Sequence, residues 1–288
     1  MSRNVPSQNL VVLFVLLLSM IGLIAAEDVK YQTMPRETVE TRLGKYAGSN
    51  KQREATLKEM FAEAGCADHL SEQPVKESSL PNVICELPGA SDKTIIVGAH
   101  FDHVPDVDGV VDNWSGASLL PTLYESIKAV PRRHTYLFIG FTDEERGLVG
   151  SSFYVRHMTK EQVAATTAMV NMDTLGLSST EIWGSHADKN LNRAMAYVAQ
   201  QLKLPVSSVN VEAIGASADS ESFADRKIPS ITIHSLTPEA VRNHILHTSK
   251  DRMSAMRMDD YYESYRLVAA YLAFLDQVGS IADSQMKH

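Results

Sequence analysis

A chain of 288 residues with 44% apolar content is long enough to bury one sizeable α/β core or two small domains. Its formal charge of −8, with no basic cluster, argues against nucleic acid or anionic lipid as a partner.

In chain order, the first residues stand apart. Arg3 is the only charge before Glu27, and Leu10 to Ala26 is an apolar or weakly polar run ending in Ile24-Ala-Ala. That pattern predicts a signal peptide, residues 1–26, cleaved near Ala26. The run is slightly long for one, so an uncleaved membrane anchor is the alternative. On either reading the remainder is exported, and removing residues 1–26 takes away one cation and no acid. Residues 27–288 show no repeat, linker or low-complexity stretch and read as one domain.

Thr38 to Gly65 predicts one or two amphipathic helices, with Leu57, Met60, Phe61 and Ala64 at helical spacing and Gly65 as the stop. Asn82 to Pro88 and Lys93 to Gly98 read as neighbouring strands joined by a Gly-Ala-Ser-Asp turn. Cys66 and Cys85 are the only cysteines. Outside the cytoplasm they are either a disulfide or two buried thiols, and the sequence does not choose. A helix follows from Leu119 to Ala129, then strands at Thr135 to Phe141 and Ala168 to Met172 with a short helix, Ser151 to His157, between them. Further on come a short strand, Glu181 to Trp183, a helix, Leu191 to Leu202, a strand, Ile228 to Ile233, and a last helix, Tyr261 to Val278. Strands alternating with helical runs predict an α/β single-domain three-layer sandwich, its mixed and largely parallel central sheet flanked by helices.

The chemistry gathers where the strands end. The run Thr94 to Gly98 delivers His100 and Asp102, two apart and so on one face of an extended chain, and Asp112 follows in the next loop. One of the first pair can bind a metal while the other holds its ring in place. Glu144 and Glu145 follow the strand at 135–141, Asp173 follows that at 168–172, and His234, His244 and His247 follow that at 228–233. Singly each has a bland reading as surface turn, core imidazole or helix cap. Carboxylates or imidazoles at the ends of nearly all the buried strands instead predict a shared site, and N and O donors without thiolate suit zinc.

The segments GAHFDHV, GVVDNWSGAS, FTDEERGLVGS, VNMDTLG and HTSKD, in that order, resemble the co-catalytic zinc aminopeptidase family, the group of bacterial leucyl aminopeptidases, glutamate carboxypeptidase and the glutaminyl cyclases. The similarity runs from about Asn82 to the final helix. It implies two zinc ions, His100 and Asp173 on the first, Glu145 and His247 on the second, and Asp112 bridging. It also implies Asp102 as the carboxylate orienting His100, Glu144 as the general base, and peptides as substrates. His247 is preferred over His244 and His234 because it meets the family's His-Thr-x-x-Asp pattern with Thr248 and Asp251. One departure is Ala218-Asp219-Ser220 before Phe223, where the family often has Ser-Asp-His. Asn113-Trp114-Ser115 matches a glycosylation sequon, read as chance because a glycan there would obstruct the cleft. The function so implied is an exported aminopeptidase; the competing readings are a single-zinc glutaminyl-cyclase-like acyltransferase and a non-catalytic binding domain.

Overall fold

The computed structural model of the chain describes residues 30–210 and 216–285. The expected export segment, residues 1–26, lies outside them. Among the described residues no helix is long and apolar enough to cross a membrane.

Two helices come first, α1 (Arg36–Leu43) and α2 (Asn50–Glu63). Ser49 starts α2 with a capping box closed by Gln52, and Gly65, at φ +89°, turns the chain out of it. Leu57, Met60, Phe61 and Ala64 are fully buried, as their spacing predicts. Each such Leu, Met or Phe contributes about 1.5–3 kcal/mol by leaving water.

The sheet has eight strands: β1 (Leu70–Gln73), β2 (Asn82–Leu87), β3 (Thr94–His100), β4 (Thr135–Phe141), β5 (Thr166–Met172), β6 (Thr180–Ile182), β7 (Val206–Ser208) and β8 (Ser230–His234). Their spatial order is β1-β2-β4-β3-β5-β8-β6-β7. The central four, β4-β3-β5-β8, are mutually parallel, and antiparallel pairs occur toward the edges. This is the expected fold class. The central strands are buried along most of their length because helices cover both faces. One expectation is corrected. β2 and β3 are not neighbours, since β4 lies hydrogen-bonded between them. β3 and β4 pair in parallel through a helical crossover, so the link at 88–93 steps over two strand spacings, roughly 10 Å. That link is tied down where it crosses, Ser91 donating to the Arg133 carbonyl and the Gly89 N–H to Thr135 Oγ1.

On one face lie α1, α2, α3 (Leu119–Lys128), α6 (Lys189–Leu202) and the long α9 (Met258–Gln285). Tyr136 bonds across that interface to the Leu272 carbonyl, and Tyr271 to that of Leu191. The other face carries α4 (Val149–His157), α5 (Lys160–Ala165) and α7 (Ser220–Ala224), and there Ile96, Ile139, Phe141 and Met169 pack on Val155 and Phe223. A further short helix, α8 (Pro238–Arg242), follows β8. The elements absent from the sequence reading (β1, β7, α5, α7 and α8) are all three to six residues long, too short to display a period.

The cysteine question is answered: Cys66 and Cys85 form a disulfide that joins the end of α2 to β2 across a sequence separation of 19 residues. Closing such a loop restricts the unfolded chain by about 3 kcal/mol in the chain-entropy model. The double variant Cys66→Ser/Cys85→Ser should therefore melt roughly 6–12 °C lower. An unchanged melting temperature in a calorimeter would show that the crosslink contributes no stability.

Candidate metal centre

Because β4, β3, β5 and β8 run in parallel, their carboxyl ends open on one edge of the sheet, where ligands collect in such folds. β3 ends at His100, the turn after β4 carries Glu144 and Glu145, and Asp173 is the first residue beyond β5. Asp112 comes from the loop after β3, and His247 from the segment after β8. All seven residues singled out from the sequence meet here.

They meet as two triads. Donor atoms of His100, Asp112 and Asp173 lie within 4.8 Å of one another, and so do those of Asp112, Glu145 and His247. Asp112 belongs to both, and its two oxygens are divided between them. Oδ1 is 3.2 Å from His100 Nε2, and Oδ2 is 3.2 Å from His247 Nε2. His247 Nε2 is also 2.9 Å from Glu145 Oε2. His100 Nε2 stands 3.7 Å from Asp173 Oδ1 and 3.9 Å from Glu144 Oε2.

His100 turns its other nitrogen to Asp102. Nδ1 lies 3.2 Å from the Asp102 carbonyl and 3.4 Å from Oδ1, which places the ring proton there and leaves Nε2 as donor to a metal. Asp102 does more than the sequence foretold. Its carboxylate also accepts from the backbone N–H groups of Glu144 and Glu145, at 3.1 and 3.2 Å. One buried carboxylate thus fixes an imidazole from β3 and the turn after β4.

Two further side chains set Asp112. Asp251 accepts from the N–H of Val111 at 2.7 Å and of Asp112 at 3.1 Å. Asn113 donates to the Met172 carbonyl at 2.9 Å, while its oxygen accepts from the N–H groups of Gly116 and Thr174 at 3.0 and 3.2 Å. It therefore stitches the Asp112 loop to the backbone flanking Asp173. A Cβ on Gly116 would lie 2.6 Å from both Asn113 Oδ1 and Met172 O, so the Ser-Gly-Ala-Ser run requires glycine there. Fully buried, with these bonds made, Asn113 is closed to glycosylation, and the sequon match is incidental. Neither role was read from the sequence. The available signals were the Asn directly after the bridging Asp and the closing Asp of the HTSKD motif.

The other imidazoles nearby are accounted for. His103 faces the carbonyls of Val104 and Gly48. His234 is buried, its Nδ1 accepting from the Leu236 N–H, and burial lowers it to about 4; it and His244 line the cavity beside the triads and belong to neither. Asp219 of the departing Ala-Asp-Ser stretch is wholly buried; Ser151 lies close enough to favour its ionised form but makes no well-formed hydrogen bond to it, and burial carries it up to about 7.

The electrostatics describe a site that holds cations. Burial raises Glu144 to about 10 and raises Glu145 and Asp173, while neighbouring carboxylates add to each shift. Burial works against a charged His100, yet Glu144, Asp102, Asp112 and Asp173 lift it well above the usual imidazole range. Hydrogen bonds donated to Asp112 and Glu145 raise His247 to about 10. Glu145 Oε1 is buried with no hydrogen-bond partner. An orphaned carboxylate oxygen among N and O donors fits zinc at the triad of Asp112, Glu145 and His247, and His100, Asp112 and Asp173 offer the same donor types at the other.

Beside the triads lies a cavity of about 540 Å³. Its lining includes the carboxylates Asp112, Glu144, Glu145 and Asp173, the imidazoles His234, His244 and His247, and the apolar Trp183, Leu236, Ala240, Val241, Ile245 and Leu246. Among the described residues lining it there is no Lys or Arg.

The model of peptidase family M28 matches residues 82–272, which contain every residue of both triads. The chain belongs to peptidase family M28. Relatives within reach of its sequence include aminopeptidase YwaD of Bacillus subtilis, 29% identical over 175 residues, which are 55% of this chain and 38% of that one. A probable leucine aminopeptidase of Trichophyton verrucosum is 24% identical over 78% of this chain and 65% of its own. The M28 chain thus spans less than two thirds of the length of either. Among solved structures, the LapA aminopeptidase of Legionella pneumophila shares the fold with a TM-score of 0.72 at 20% identity, covering 88% of this chain and 74% of that one. A glutaminyl cyclase from an Acidobacteriales bacterium does so with a TM-score of 0.71 at 15% identity, over 96% and 99%.

Proposed function

We propose that this M28 protein is an exported zinc aminopeptidase that removes N-terminal residues from peptides, with two co-catalytic ions and Glu144 as general base. The observation that carries the reading is the pair of donor triads sharing Asp112, with Glu144 beside them and bound to neither. The charge of the cavity points to the substrate end recognised. With Asp112, Glu145 and Asp173 given to the ions and Glu144 to the base, the described lining offers no Lys or Arg to pair a peptide's α-carboxylate, which supports action at the other end. The apolar part of the lining suits an uncharged side chain.

When bound, the ions supply polarisation of the scissile carbonyl and acidification of the attacking water. The chain's own residues handle the proton. Glu144 takes it from the water as the C–O bond forms, and gives it to the departing amine as the C–N bond breaks. The charge of His100 opposes the burial that raises Glu144, and cations held at the triads would add to it in favour of the ionised base. Asp102 holds the Glu144 N–H throughout, so the base is positioned through its backbone.

Purified protein should bind two zinc ions per chain, lose activity on chelation, and release p-nitroaniline from neutral aminoacyl anilides. One zinc in a fully active preparation that cyclises N-terminal glutamine and releases no aniline would replace this reading with a glutaminyl-cyclase-like one. The signal-like segment and the disulfide support export. Sequencing the processed protein should find Glu27 as its first residue, whereas Met1 retained in a membrane fraction would make the segment an anchor.

A further inference from the structure

Arg53 lies in α2, outside the span matched by the family model. Its side chain is fully buried, and its guanidinium donates to main-chain carbonyls. Nε bonds Tyr46 at 3.0 Å, Nη1 bonds Phe101 at 3.4 Å, and Nη2 bonds Gly109 at 2.9 Å and also Asp108. The plane stands over the Trp114 ring, 5.4 Å from its centroid. These positions bracket the metal loop. Phe101 sits between His100 and Asp102, Asp108 and Gly109 open the turn that delivers Asp112, and Trp114 closes it.

We propose that Arg53 is a positioning residue for the metal centre, setting the separation of His100 from Asp112 through the backbone at both ends of the loop between them. A planar fork of five donors can bond carbonyls on different sides at once, whereas a lysine ammonium, a point charge with three donors, cannot span them. The choice of carbonyls also matters. Burial lowers this arginine to about 10, and the charges of Asp251, Asp102, Asp112 and Asp108 offset part of that. Its charge thus balances the acidic centre from a distance, while its hydrogen bonds are spent on carbonyls and leave the ligand oxygens of Asp112 free for cations.

The inference rests on the triads being a zinc site, and zinc affinity tests it independently of turnover. Arg53→Met keeps the stem's bulk and removes every donor, and Arg53→Lys keeps the charge. Arg42→Met serves as control, because the Arg42 side chain is also buried in this helical region but bonds Thr122 and Glu125, away from the loop, while the Arg42 carbonyl that accepts from Trp114 Nε1 is kept in the variant. Zinc affinity by chelator competition, the zinc-dependent rise in melting temperature, and kcat and KM are measured for all three. Arg53→Met should bind zinc roughly 10–100-fold more weakly, as loss of a supporting partner does at other metal sites. Its zinc-dependent stabilisation should shrink, and kcat should fall more than KM changes. Arg53→Lys should fall between it and the unaltered protein. Arg42→Met should lose melting temperature yet keep normal zinc affinity. Unchanged zinc affinity in Arg53→Met overturns the proposal, as does an equal loss in Arg42→Met; if Arg53→Met does not fold, unchanged affinity in Arg53→Lys decides the same way. An unaltered chain that binds zinc but releases no aniline sinks the aminopeptidase reading alone.

Discussion

Glu144→Gln should lower kcat by about 10²–10⁴-fold while both triads keep their metal, the range typical of losing a general acid–base group. Glutamine matches glutamate in size, and the backbone N–H that Asp102 accepts is unchanged, so the turn after β4 stays in place. What disappears is the proton acceptor facing the centre. Substrate contacts persist, so KM should move far less than kcat. Glu145→Gln, one residue on, should behave oppositely: it weakens a donor of the second triad, so zinc content falls and added zinc restores part of the activity. Measured zinc content separates the two. If Glu144→Gln shed metal while Glu145→Gln kept it and lost only turnover, base and ligand would have to be exchanged.

Asp112→Asn should do the most damage. Asp112 faces His100 with one oxygen and His247 with the other, so the substitution weakens both triads together. The amide presents a carbonyl to one side and an NH₂ to the other, aiming a donor where a cation would sit. The shared negative charge that would offset repulsion between two cations is gone. Zinc should fall toward none by elemental analysis, activity should drop below that of Glu144→Gln, and excess zinc should not restore it. Asp251 still grips the loop backbone, so the far-ultraviolet circular dichroism should be unaltered. A variant that holds two zinc ions and turns over would remove Asp112 from its bridging role.

The large elements and the convergence of the site were legible because they follow from local rules. Thr135–Phe141 is bounded in the structure as its sequence predicts, since an apolar run entered after a Pro-containing loop and left at Thr-Asp-Glu-Glu has few ways to be read. The choice of His247 over His234 and His244 came instead from the family resemblance, whose His-Thr-x-x-Asp pattern Thr248 and Asp251 complete. Less legible was whatever depends on long-range partners. β4 sits between β2 and β3 because of how a crossover returns to the sheet, which no property of the 88–93 link reveals. Arg53 reads as one more polar position of an amphipathic helix, and its burial becomes visible only when the carbonyls around it are in place. Asn113 looks like a sequon because three residues cannot show that Met172 and Thr174 will close over it.

The donors are dispersed along the chain, and this orders events during synthesis. His100, Asp112, Glu144 and Asp173 leave the ribosome long before His247, and nothing can set His247 until β8 has docked on β5. Asp251, which grips the backbone at Asp112, leaves later still, so the loop that carries the shared carboxylate is not fixed for either triad before then. Any hydrolytic power the centre possesses is withheld until the fold that confines it is complete.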